Sequence, residues 1–114
     1  MPVPIGTGEV LSGVWGSSAS DVFAVGISGT ILHYDGTTWS AMSSGTTEML
    51  DRVWGSSAND VFAVGDSGTI LHYGGSGWSP MASGTSNFLI GVWGSSANDV
   101  FAVGRAGTIL HYAG

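Results

Sequence analysis

Three histidines, five of the six aspartates, two arginines and a set of tryptophans are the side chains in this sequence through which it could bind or react. His33, His72 and His111 follow one another at intervals of 39 residues, each inside an unchanged Gly-Thr-Ile-Leu-His-Tyr. Imidazole is a common metal ligand, but one histidine per repeat unit is carried away from the others by the repeat itself, so a structural role is expected and no metal site. Asp21, Asp60 and Asp99 each follow a Ser-Ser-Ala-(Ser/Asn) turn. A lone carboxylate per turn lacks the converging oxygens that Ca²⁺ needs, and capping of turn amides is the expected use.

Among the charged residues that differ between units, Asp51, Arg52, Asp66 and Arg105 make a candidate ligand-binding set. Trp39 and Trp78 add a candidate surface for stacking against sugars, set against their use as packing aromatics. No catalytic residue is assigned. The sequence has no nucleophile elbow, no His-Glu-x-x-His and no P-loop, and its glycines punctuate strand-like runs instead of opening a helix. No enzyme activity and no cofactor is expected.

Composition narrows the partners. With two basic residues against eight acidic ones, a formal charge of −6 and no lysine, the chain offers no electrostatic footprint for nucleic acid or anionic lipid. No run approaches the roughly 20 apolar residues of a membrane helix, and the opening Met-Pro-Val-Pro-Ile-Gly lacks a basic segment followed by an apolar one. A soluble chain without a membrane partner is expected, and no compartment is indicated. The absence of cysteine removes disulfides and thiolate metal sites. A hydrophobic content of 43% is enough for a core, while charged residues at 9% and 20 glycines leave polar pairing to Ser, Thr, Asn and the backbone.

These residues must be positioned by a repeat. Trp15, Trp54 and Trp93 each open a Trp-Gly-Ser-Ser-Ala-(Ser/Asn)-Asp-Val-Phe-Ala-Val-Gly run, again 39 residues apart. Within the middle unit, runs of β-branched and aromatic residues bounded by turn formers predict four strands, at roughly 50–55, 60–65, 69–73 and 77–83. The connections are of hairpin length, so the sheet is an antiparallel meander. Val61-Phe62-Ala63-Val64 is apolar at every position, which predicts a strand covered on both faces. Four-stranded units of about 40 residues with both faces covered describe β-propeller blades. The fold class expected is therefore all-β, one domain spanning residues 1–114 with three blades.

Aligned to the repeat, Pro2 falls on Pro80, Gly6 on Gly45 and Gly84, and Thr7 on Thr46 and Thr85. Residues 2–8 thus read as the outer strand of a blade, and the third unit stops short of its own outer strand. The expectation is strand exchange, with the opening strand of one subunit completing the third blade of another. Three blades do not close a ring, whereas head-to-tail copies can. Two copies would give six blades, within the usual range of about 4 to 8, and three would give nine.

The run at 53–73 and the Asp-Gly-Thr-Thr-Trp at 35–39 resemble highly repetitive bacterial β-propellers, and engineered symmetric or ancestral-type propellers derived from them. The resemblance implies a self-assembling structural scaffold, designed or reconstructed, whose fragments join into eight- or nine-bladed rings. Three blades divide nine, which favours a homotrimer over the homodimer. The alternative is a binding module such as a propeller lectin for a glycan. Its ligand face would be formed by the links from fourth to first strands and from second to third strands, which lie at one end of every blade and carry Asp51, Arg52, Asp66 and Arg105.

Overall fold

The computed structural model describes residues 10–113. Among them are eleven strands, forming three consecutive antiparallel sheets. The first blade contains β1 (Leu11–Ser18), β2 (Asp21–Gly26), β3 (Ile31–Tyr34) and β4 (Trp39–Met42). The second contains β5 (Leu50–Ser57), β6 (Asp60–Gly65), β7 (Ile70–Tyr73) and β8 (Trp78–Met81). The third contains β9 (Leu89–Ser96), β10 (Asp99–Gly104) and β11 (Ile109–Tyr112), and is three-stranded among the described residues. Each sheet is a meander in sequence order. Residues 2–8, expected to form an exchanged strand, lie outside the described residues.

The first strand of each blade runs two residues further than the sequence pattern predicts, because Ser57 pairs with Asp60 and leaves Ala58-Asn59 as a two-residue turn. The fourth is shorter than predicted, ending at Met81. The link between second and third strands is a single 3₁₀ turn, at Ile27–Gly29, Asp66–Gly68 and Arg105–Gly107. Each such turn has two successive left-handed residues, for example Ser67 at φ 56° and Gly68 at φ 70°. Glycine is the residue that takes the second position without steric cost, and a Cβ on Gly68 would stand 1.9 Å from the Thr85 carbonyl oxygen.

The core lies between sheets. Between the first and second blades, Phe23, Val25 and Ile31 meet Leu50, Val53, Val61, Ala63 and Leu71, all buried. Between the second and third, Val64 meets Leu89 and Ala102, with Ile70, Val92 and Leu110 around them. Alternation along β6 explains the apolar run: Val61 and Ala63 face the first blade, and Phe62 and Val64 face the third.

Each interface also holds a tryptophan over a glycine. An added Cβ on Gly55 would lie 2.7 Å from Cη2 of Trp15, and one on Gly94 would lie 2.6 Å from Cη2 of Trp54. No side chain fits between the indole and the strand beneath it. We expect Trp54→Ala to cost on the order of 3 kcal/mol and Gly94→Ala about 1–3 kcal/mol. The double variant should be more stable than the sum of the two, because alanine at 94 no longer meets an indole. Urea unfolding of the four proteins checks this, and simple additivity would contradict it.

Candidate functional site

The polar residues come first, since the sequence singles them out. Each histidine is held by the aspartate of its own blade, with Nε2 to Oδ1 distances of 2.6 Å for His33–Asp21, 2.7 Å for His72–Asp60 and 2.7 Å for His111–Asp99. The other carboxylate oxygen accepts from the hydroxyl of Ser17, Ser56 or Ser95. This corrects the expected capping of turn amides. Asp21 stands two residues before Phe23, which pairs with His33, so carboxylate and imidazole are diagonal neighbours on one face. A register shift between Gly16 and Ser18 turns Ser17 toward the same carboxylate. One aspartate thereby links three strands in every blade.

Asp51, Arg52, Asp66 and Arg105 do sit at one end of their blades. The 3₁₀ turns there are bonded to the incoming links, Asp66 N–H to Met49 C=O at 2.9 Å and Arg105 N–H to Phe88 C=O at 2.9 Å. Their side chains are not gathered into one site. Arg52 pairs with Asp51 at 3.2 Å and donates to the Ser12 carbonyl at 3.3 Å. Asp66 accepts from the Ser67 amide at 2.8 Å. Arg105 lies over the Phe88 ring, 5.1 Å from its centre. Trp78 packs between blades, edge-on to Phe23 at 5.9 Å and beside Tyr73 at 5.4 Å. Trp39 is half-buried against Tyr34 and lines a hollow with Leu11, Val14 and Ala24.

What the sequence does not single out is where exposed apolar surface falls. Val14 is 69% exposed, whereas its equivalent Val53 is 8% exposed beneath the first blade. Gly16 is exposed, while Gly55 and Gly94 are each buried under an indole. On the third blade, Trp93 is 59% exposed, Val103 42% and Ile109 71%. Their first-blade equivalents Val25 and Ile31 are buried against the second blade. On the first blade the open stretch is the β1 end, since Ala24 and Leu32 of that face are buried. Among the described residues there is thus an unmatched indole on the third blade and an unmatched glycine on the first.

No protein-family model matches the sequence, and no curated protein matches it. Among solved structures, YCF48 from Cyanidioschyzon merolae superposes with a TM-score of 0.81 at 21% identity, over 97% of this chain and 39% of that one. A structure of YCF48 bound to D1 peptide gives a TM-score of 0.80 at 17% identity, over the same shares. YCF48 is a β-propeller. The fold of this chain is that of propeller blades. It spans 39% of the length of the propeller chains that it matches, and at these identities the likeness shows the fold alone.

The aspartate links predict acid behaviour. At Asp21 burial raises the carboxyl pKa, but hydrogen bonds from His33 and Ser17 outweigh it and hold the group below its ordinary value. At Asp99 the Ser95 hydroxyl and then His111 lower it. A carboxyl depressed by folding contributes stability above its unfolded pKa of about 3.9, and that stability is lost as pH falls through the folded value. The Tm is expected to decline as pH drops below about 4, and to decline less steeply in Asp21→Asn. Equal pH profiles for the two proteins would contradict the link's role.

Proposed function

We propose that this chain is a self-assembling propeller segment, whose copies join head to tail until the ring closes, with three copies and nine blades as the favoured state. The observation that carries the reading is the match between the two open faces. Trp93 stands on the third blade where Trp15 and Trp54 stand on the others, and no glycine among the described residues lies beneath it. Gly16 lacks the indole that covers Gly55 and Gly94. The two interfaces inside the chain are thus templates for a third, between copies.

Around Trp93 lie Val103 and Ile109, and opposite them would come Val14, all more than a third exposed in the single chain. Exposed apolar residues grouped on a sheet face mark an interaction surface. Because the two faces differ, the contact is heterologous and closes into a ring or runs on as a filament. Residues 2–8 of each copy would add a fourth strand along β11 of its neighbour. The reading is the same for a natural or an engineered sequence, because it rests on the two faces.

A binding module is the second reading, with a peptide or glycan on the loop end of the blades. One observation favours it: the same fold occurs in YCF48 bound to D1 peptide. Against it, Asp51, Arg52, Asp66 and Arg105 are each engaged within the chain.

Trp93→Ala and Val14→Asp change residues that are exposed in the single chain, so both variants should keep their fold by circular dichroism. Both should sediment as monomers where the unaltered chain sediments as a closed oligomer. Identical sedimentation of all three would overturn the reading. Deleting residues 2–8 is expected to give open oligomers or aggregates, and an unchanged closed ring would refute the strand exchange.

A further inference from the structure

The outer strands β4 and β8 are each bonded to their sheet along one side and have no strand along the other. Each is followed by a link to the next blade, so these outer edges are open wherever the sequence begins or ends. An open edge is a template for another strand, and proteins blunt it with short length, charge or proline. The two edges are blunted unequally. Neither carries charge, since residues 36–47 and 74–86 contain no Asp, Glu, Lys or Arg. In β8, Pro80 stands opposite Leu71 in an unbroken register. A residue without an N–H is accommodated on an edge strand where its N–H side would face solvent. Ala41 holds the same place in β4, opposite Leu32. Its N–H therefore points away from β3, and so does that of Trp39 two residues before it. Ser40 and Ala41 are exposed.

We propose that β4 is a strand-pairing edge for the β4 of a second copy, joined antiparallel about a two-fold axis at Ser40. Trp39 and Ala41 of each chain would then exchange backbone N–H···O bonds with Ala41 and Trp39 of the other. A copy fits this edge better than a charged peptide does. The edge has no charge for such a peptide to read, and between two chains of formal charge −6 the two-fold pairing sets no carboxylate opposite another. Pro80 closes β8, so the pairing is β4 with β4, the same patch on both sides, and it stops at two copies per edge. The contact is separate from the head-to-tail one, which uses blade faces and not an outer edge. With one short strand on each side it is weak, with a dissociation constant on the order of a millimolar, and adds nothing in dilute solution.

The test follows the mean mass of the full chain by sedimentation from micromolar to roughly millimolar concentration, in the unaltered protein, Ala41→Pro and Pro80→Ala. The unaltered chain is expected to rise above its dilute mass. Ala41→Pro should stay flat, and Pro80→Ala should rise more steeply because a second edge is opened. Each variant installs at one position the residue that the same fold already carries at the equivalent one, and circular dichroism checks the fold. The same order is expected in a Trp93→Ala background, so failure of ring closure would not mask it. By NMR, raising the concentration should shift the Trp39 and Ala41 amides and leave those of Ser40 and Met42, already turned toward β3, in place. A mean mass that does not rise, a rise undiminished in Ala41→Pro, or one no steeper in Pro80→Ala would each overturn the proposal. If Ala41→Pro does not fold, Pro80→Ala and the amide shifts decide.

Discussion

Between neighbouring blades an indole from one inner strand covers a glycine of the next, with its ring atoms closer than 3 Å to the point where any other residue would place a Cβ. That contact fixes how closely the sheets approach. With the sheets at that distance, Phe23 reaches Tyr73 and Trp78, Phe62 reaches Tyr112, and the valines and leucines between them are sealed from water. Since the middle sheet buries apolar residues on both faces, and the third carries exposed apolar residues on the face without a neighbour, none of the blades is complete alone. The middle blade, flanked on both sides, holds Val61, Ala63 and Val64 at zero exposure. The outer two show what the same residues look like when a neighbour is missing. Exposure of Trp93 and Val14 is a property of position in the array and not of local sequence.

Polar interactions hold each sheet to itself, and do so with few charges. The serine–aspartate–histidine link crosses the first three strands of every blade near the turn. Its histidine ring also packs against the phenylalanine of the second strand, with centres 4.4–4.6 Å apart. The same face thus runs from indole to phenyl to imidazole across three strands. Ser12 adds a tie between blades, donating to the Leu50 carbonyl at 2.6 Å, and Arg52 reaches back to the Ser12 carbonyl. Positions that differ between units are therefore partly occupied with joining the first two blades.

Much of this was legible in the residues. The 39-residue period gave the blades, and the all-apolar Val61–Val64 run gave sheets covered on both sides, because strand alternation leaves no other use for consecutive apolar residues. The histidines were recognised as structural from their spacing. Their partners were not, since a diagonal pairing across strands depends on register, which the turn lengths alone did not settle. The Trp-Gly pair was also hidden in plain view: it sits inside a run that barely changes between units, so comparing the units gave no reason to separate the glycine from its neighbours. The charged residues pointed to the loop end of the blades, whereas the exposed apolar surface lies on the outer blade faces, which only burial in three dimensions distinguishes from interior ones.

The account comes down to whether the two outer faces recognise each other. Native mass spectrometry of the unaltered chain measures this without any variant. A closed species at three times the 11.5 kDa chain mass is the predicted result, and one at twice that mass would keep ring closure while replacing nine blades with six. A chain that stays monomeric at every concentration examined would contradict it.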